Sequence, residues 1–129
     1  MLDVALLPGE YAVCRLAAGS TLVAAGWDGL AGDEVVTVSW SADGISVICP
    51  SARAPRDAAV ETDWRCLRVA GPLEIAVTGT LAALVGPLAD ARVNVVAFST
   101  YDTDYLLVPA VRLTEATAAL ERAGHRVLR

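Results

Sequence analysis

Val93-Asn94-Val95-Val96-Ala97-Phe98-Ser99-Thr100-Tyr101-Asp102-Thr103-Asp104-Tyr105-Leu106-Leu107-Val108 is the stretch on which the fold turns. Residues 93–98 form a β-rich run, Asp102-Thr103 supplies turn chemistry, and 105–108 returns as a second strand antiparallel to the first. Pro109 ends that strand. Ahead of this hairpin, Leu81, Leu84, Val85 and Leu88 fall at i, i+3, i+4 and i+7, one apolar stripe for a helix over 82–91. Thr78 is placed to cap that helix by accepting a bond from a free backbone N–H. Pro87 is expected to kink it or loosen its last turns. Before it, 64–69 alternates as a strand and is closed by Gly71-Pro72. After the hairpin, Leu113, Ala116 and Leu120 mark a second helix stopped by Gly124, and 125–128 makes a last short strand. The order β-α-β-β-α-β is a ferredoxin-like, split βαβ unit of the α+β class.

Working outward, the first half reads as a weaker copy. Residues 11–16 form a strand, and the Gly- and Ala-rich 19–32 has room for one short helix at most. Residues 34–40 form a strand that Ala42-Asp43-Gly44 turns into 45–49. Residues 50–63 are polar, contain Pro50 and Pro55, and hold only a short helical turn. Residues 2–7 read as a further edge strand. The expected organisation is two α+β lobes in tandem, 1–63 and 64–129, each an antiparallel sheet with helices on one face. A lobe of roughly 60 residues has a marginal core by itself, so a shared core or sheet is expected.

Composition narrows the function. The chain has 129 residues, 55% hydrophobic and 19% charged, too apolar for disorder. Its longest uncharged stretch begins at Ile75 and ends at Ala89, interrupted by Gly79, Gly86 and Pro87, too short to span a bilayer. Asp3 stands where a signal peptide would carry positive charge, so no targeting segment is expected and the location is cytoplasmic. A net charge of −5 without a basic cluster argues against a nucleic-acid partner. The absence of lysine removes P-loop and Schiff-base chemistry, and His125 is the single histidine.

Cys14, Cys49 and Cys66 are dispersed and form no CxxC, which fits buried, reduced structural thiols. With so few ligating side chains, neither a metal nor a covalent cofactor is expected. His125 follows the helix-ending Gly124, where a cation complements a helix C-terminus. Trp27, Trp40 and Trp64 read as packing residues. Arg65 and Arg68 fall on opposite faces of one strand and make no phosphate clamp. Residues 19–32 hold no GxGxxG, so no dinucleotide cradle is indicated.

The segment Ser99-Thr100-Tyr101-Asp102-Thr103-Asp104-Tyr105-Leu106-Leu107-Val108 resembles the signature of tandem ACT-domain proteins of the CASTOR-like group, which includes the eukaryotic cytosolic arginine sensors. Leu7-Pro8-Gly9-Glu10-Tyr11-Ala12-Val13-Cys14-Arg15-Leu16, Ser46-Val47-Ile48-Cys49-Pro50, Trp64-Arg65-Cys66-Leu67, Gly71-Pro72-Leu73, Thr78-Gly79 and Pro87-Leu88-Ala89 are similar too. The resemblance implies two ACT folds per chain, half the number in a eukaryotic sensor, and an amino-acid-sensing role. It places the equivalents of Gly79 and Asp104 on one side of a ligand. Backbone at Asn94 and Val95 lies on the other side, contributed by a second lobe of the same sequence type, here that of another protomer.

The residues themselves favour the same place. A helix start near Thr78, Gly79 and Thr80 offers free N–H groups and the positive end of a dipole to a carboxylate. Asp104 offers a carboxylate to an ammonium or guanidinium. The candidate ligand-binding set is Thr78, Gly79, Thr80, Asn94, Val95, Ser99, Thr100, Tyr101 and Asp104, with Asp102 read as turn chemistry. The expected function is a non-catalytic sensor of an amino acid, arginine or another polar one, acting as a homodimer. The alternatives are an ACT-fold interaction module without a ligand and, last, a small enzyme on the same scaffold.

Overall fold

A computed structural model describes residues 1–22, 27–70 and 78–129. Their elements run β1 (Asp3–Leu6), β2 (Tyr11–Leu16), β3 (Thr37–Ser41), β4 (Gly44–Pro50), β5 (Ala59–Val69), α1 (Thr80–Asp90), β6 (Val96–Ser99), β7 (Asp104–Pro109), α2 (Leu113–Arg122) and β8 (Arg126–Leu128). Two compact units form, Met1–Leu7 with Trp64–Arg129, and Pro8–Asp63. The first seven residues, expected in the first lobe, therefore count with the second. The Gly71-Pro72 stop expected after β5 lies outside the described residues.

The unit containing Trp64–Arg129 has the expected β-α-β-β-α-β order. β7 pairs antiparallel with both β6 and β5. β1 is not the edge strand expected of it. It lies between β5, to which it is antiparallel, and β8, to which it is parallel, so the sheet is mixed rather than antiparallel. The reason is burial: Val4 is opposite both Val69 and Val127 and is fully buried. An apolar strand flanked on both sides leaves neither its side chains nor its backbone groups in water.

Both helices cover one face of this sheet. Val4, Leu67, Val69, Leu106 and Val108 pack against Leu84 and Leu88 of α1 and Ala116, Ala119 and Leu120 of α2. Each fully buried leucine contributes about 1.5–3 kcal/mol. Of the stripe expected in α1, Leu84 and Leu88 are buried and Val85 packs at the margin, whereas Leu81 faces outward. Pro87 sits inside α1 without ending it. Both helices finish in the same closure, with N–H groups beyond the helix reaching back to its last carbonyls. In α1 these are Val93 to Leu88 and Arg92 to Ala89, both 2.9 Å; in α2 they are His125 to Leu120 and Gly124 to Glu121, both 3.0 Å.

The unit Pro8–Asp63 is built on β4, which pairs antiparallel with β2 from Tyr11↔Pro50 to Leu16↔Ile45 and with β3 from Thr37↔Ile48 to Ser41↔Gly44. Gly44 has a φ of 137°, and a Cβ there would collide with the Leu16 carbonyl, so the β3–β4 turn requires glycine. Ala12, Cys14, Leu16, Ile45, Val47 and Cys49 form one buried layer. Trp27, Leu22, Val36, Val38, Ala54 and Ala58 close it. Among its described residues this unit has no α-helix, only 3-10 turns at Trp27–Gly29 and Ser51–Arg53. It thus has the strands expected near 11–16, 34–40 and 45–49, but neither strand 2–7 nor the helices expected of the lobe 1–63. Glycine-rich 19–32 and the prolines at 50 and 55 disfavour longer helices. β5 begins at Ala59, ahead of the expected Trp64, because residues 59–63 are all exposed and Glu61, Thr62 and Asp63 break any apolar alternation there.

Candidate functional site

β6 and β5 are each antiparallel to β7, so they run parallel to one another. α1 must then carry the chain back along the sheet, and it starts at the end where β5 finishes. The turn of 99–104 lies at that same end, since Arg68 is opposite Tyr105. Leu106 and Val108 face the helices, so by strand alternation Asp104 lies on the helix side of β7. The topology therefore assembles Thr78, Gly79 and Thr80 with Ser99, Thr100, Tyr101 and Asp104 at one end of one unit. Asn94 and Val95 precede β6 and belong to the opposite end.

Thr78 does not cap α1. The N-cap is Gly79, in the left-handed region at φ 82°, and among the described residues no side chain caps the first turn. The Gly79 carbonyl accepts from Ala83 N–H at 2.9 Å, which starts the helix ladder. Among the described residues, nothing lies within 4 Å of the position a Cβ would take on Gly79. Thr78 and Gly79 are exposed and Thr80 is half-buried. A helix start without a side-chain cap presents N–H donors and a positive dipole end to an anion.

At the same end of the unit, Asp104 Oδ1 accepts from Ser99 Oγ at 2.6 Å. Among the described residues Asp104 forms no ion pair. Thr100 N–H donates to the Thr103 carbonyl at 2.9 Å, closing the turn, and Tyr101 is exposed at its tip. Asp102 is exposed in the turn.

Thr103 is the residue that a sequence reading misses. It is buried, and its Oγ1 donates to the Val69 carbonyl at 2.7 Å, fastening the turn to the end of β5. In sequence it looks like one more turn residue beside Asp102; only the strand pairing shows what it reaches. Arg68 and Tyr105 also support the hairpin. Arg68 Nε donates to the Tyr105 hydroxyl at 3.2 Å, its guanidinium lies 6.0 Å from the ring centre, and the Phe98 ring stacks on Tyr105 at 5.0 Å. Arg65 donates instead to the Leu7 carbonyl at 3.4 Å, apart from Arg68.

Among the described residues no cluster of histidine, cysteine or acidic side chains could hold a metal ion, and no helix is long and apolar enough to cross a membrane. Burial pushes the Cys66 thiol up to about 12. Burial, then the neighbouring Cys14, does the same to Cys49.

Residues 59–122 match the ACT domain family. Among solved structures, the chain is similar to protein Atu0741 from Agrobacterium tumefaciens, with 30% identity and a TM-score of 0.85 over 98% of this chain and 92% of that one. It is similar in fold to protein VC0802 from Vibrio cholerae, with 17% identity and a TM-score of 0.68 over 95% and 89% of the two chains. The regulatory subunit of aspartate kinase from Thermus thermophilus shares the fold at 13% identity, with a TM-score of 0.65 over 94% and 96%. No curated protein matches the chain.

Proposed function

We propose that this chain, whose residues 59–122 match the ACT domain family, is a non-catalytic regulatory protein that binds an amino acid. The observation that carries this reading is that the helix start at Gly79 and the Asp104 carboxylate share one end of the sheet, the first without a side-chain cap and the second without a cationic partner among the described residues. A ligand carboxylate would sit on the first-turn N–H groups of α1. Its ammonium or, in arginine, its guanidinium would reach Asp104. Thr80, Ser99, Thr100 and Tyr101 would border the ligand. Asn94 and Val95 would close it from a second protomer, which makes the active form a homodimer. In this proposal the Pro8–Asp63 unit is a reduced ACT-like lobe, tandem to the first, and needs no metal or cofactor. Free, buried cysteines suit work in the reducing cytoplasm.

One observation favours a second reading, a protein-interaction module on the same fold. The outward face of α1 presents Leu81, Ala82, Gly86 and Ala89, with no charge before Asp90. A helix that is apolar all round is ordinarily covered.

Calorimetry and thermal shift with the proteinogenic amino acids separate the two. A ligand at about 100 times its Kd adds about 2.7 kcal/mol of stability. Asp104→Asn keeps the Ser99 hydrogen bond but removes the charge, and is expected to weaken binding by about two orders of magnitude. Asp102→Asn is the control and should bind as the parent does. Gly79→Val should also block the ligand, by filling the approach and straining the backbone. Absence of binding at millimolar concentration, or a harmful Asp102→Asn beside a harmless Asp104→Asn, would overturn the sensor reading. Sedimentation as a monomer at tens of micromolar would remove the two-protomer site.

A further inference from the structure

We propose that the Pro8–Asp63 unit carries a second, separate ligand site: a cleft that takes a small organic carboxylate with an apolar body. The argument begins with what this unit lacks. In the other unit, helices cover the sheet. Here the equivalent layer of Ala12, Cys14 and Leu16 on β2 and of Ile45, Val47 and Cys49 on β4 is covered by loops and by Trp27. Among the described residues, a cavity of about 650 Å³ lies between the chain after β2 and the segment around the Ser51–Arg53 turn. That is within the size range of small-molecule sites.

The lining has two chemical halves. Leu16, Trp27, Ala54 and Pro55 give an apolar wall. The Trp27 ring is pinned, its Nε1 donating to the Arg53 carbonyl at 3.3 Å. Arg53, Arg56, Asp57 and the hydroxyls of Ser20 and Thr21 make the polar half. Arg53 is anchored from behind: its guanidinium reaches Glu34 Oε1 at 3.0 Å and the Gly29 carbonyl at 3.3 Å. Glu34 is itself held below its ordinary carboxylate range, first by the Ala31 N–H at 2.9 Å and then by Arg53. Glu34 therefore neutralises Arg53 while fixing the rim. Arg56 has no carboxylate partner among the described residues. It is the cation left over for a ligand anion.

One unspent guanidinium beside an apolar, aromatic wall matches a monocarboxylate with a hydrocarbon body, not a polyphosphate. Asp57 adds a place for an ammonium. The same carboxylate chemistry could thus arrive as an apolar amino acid or as a deaminated acid. This inference is independent of the Gly79–Asp104 reading, because every lining residue belongs to the other unit.

The test follows indole N–H resonances in protein carrying 15N-labelled tryptophan, with Trp27→Phe assigning the signal. Probes are 3-phenylpropionate, 4-methylpentanoate, L-phenylalanine, L-leucine and inorganic phosphate, each to about 10 mM, a range that detects millimolar affinity. The Trp27 resonance is expected to shift saturably with the organic carboxylates and not with phosphate. Arg56→Gln should weaken binding about tenfold, the effect of one lost charge-assisted hydrogen bond. Ala52→Trp, at the cleft wall, should abolish it while the Trp40 and Trp64 signals stay in place. Asp104→Asn should bind these probes unchanged, so failure here and failure of the sensor reading are told apart. Tighter binding of the amino acids, lost in Asp57→Asn, would assign the ammonium to Asp57; equal binding of the deaminated acids would leave the carboxylate as the recognised group. No saturable Trp27 shift with any carboxylate, parent-like binding by both cleft variants, or an equal response to phosphate would overturn the proposal.

Discussion

His125 Nε2 meets the Ala83 carbonyl at 2.9 Å, and Ala83 is the residue whose carbonyl Pro87 leaves without its helical partner. Four residues before a proline, a helix carbonyl has no N–H to accept from. His125 supplies the missing donor from the end of α2. Its Nδ1 accepts from Leu2 N–H at 3.1 Å, which assigns the proton to Nε2. One side chain thus ties α1, the chain before β1 and the chain before β8 together. The position after Gly124 suits a cation that complements the C-terminus of α2; the ring instead donates at Nε2 and accepts at Nδ1.

This relationship predicts a coupling. His125→Ala should lower stability by about 1–2 kcal/mol, since it orphans a carbonyl and an N–H together. Pro87→Ala restores an N–H to the Ala83 carbonyl. It should therefore recover more stability in the His125→Ala background than in the parent, with a coupling of about 1 kcal/mol. Urea denaturation of the four proteins measures it; strict additivity would contradict the assignment.

Thr103→Val tests the fastening of the turn. The substitution keeps the shape and removes the hydroxyl that serves the Val69 carbonyl. A loss of about 1–3 kcal/mol is expected, and Thr103→Ser should lose less. Chemical denaturation compares the two, and a neutral Thr103→Val would show that the bond is dispensable.

Acid should release the edge of the sheet. Arg126 donates to both Asp3 oxygens, at 3.0 and 2.7 Å, and this hydrogen bonding holds the Asp3 carboxylate below its ordinary 3.8. A value lower in the folded chain than in the unfolded one means that the pair stabilises above 3.8 and loses its effect as the pH falls through the folded value. The melting temperature of Asp3→Asn should therefore lie slightly below that of the parent at neutral pH, and the gap should close in acid. A gap that persists or widens in acid would contradict this origin.

The three cysteines should resist modification while the chain is folded. With Cys49 and Cys66 pushed up to about 12 and Cys14 raised by burial, little thiolate exists near neutrality. A thiol-specific disulfide reagent at about pH 8 should leave all of them unreacted in the native protein and titrate them in urea. Rapid labelling of the folded protein would show that the burial is breached.

Much of the fold was written in local patterns. The hairpin around Asp102, the helix stripe with Leu84 and Leu88, and the stop at Gly124 depend on alternation, period and turn chemistry, which neighbouring residues carry between them. The exposed start of β5 and the start of α1 at Gly79 are not legible, because exposed strand residues and a glycine N-cap leave no hydrophobic signature.

Of the candidate site, the residue types at Gly79 and Asp104 could be read from sequence, since each advertises its chemistry locally. That both stand at one end and on one side of the sheet is a product of strand order and alternation. The same holds for β1 between β5 and β8, for Thr103 under Val69 and for His125 on Ala83, whose partners are distant in sequence. Partner choice over such distances is settled by simultaneous burial and hydrogen-bond satisfaction across the whole unit. No window of neighbouring residues contains that information, and only the packed structure expresses it.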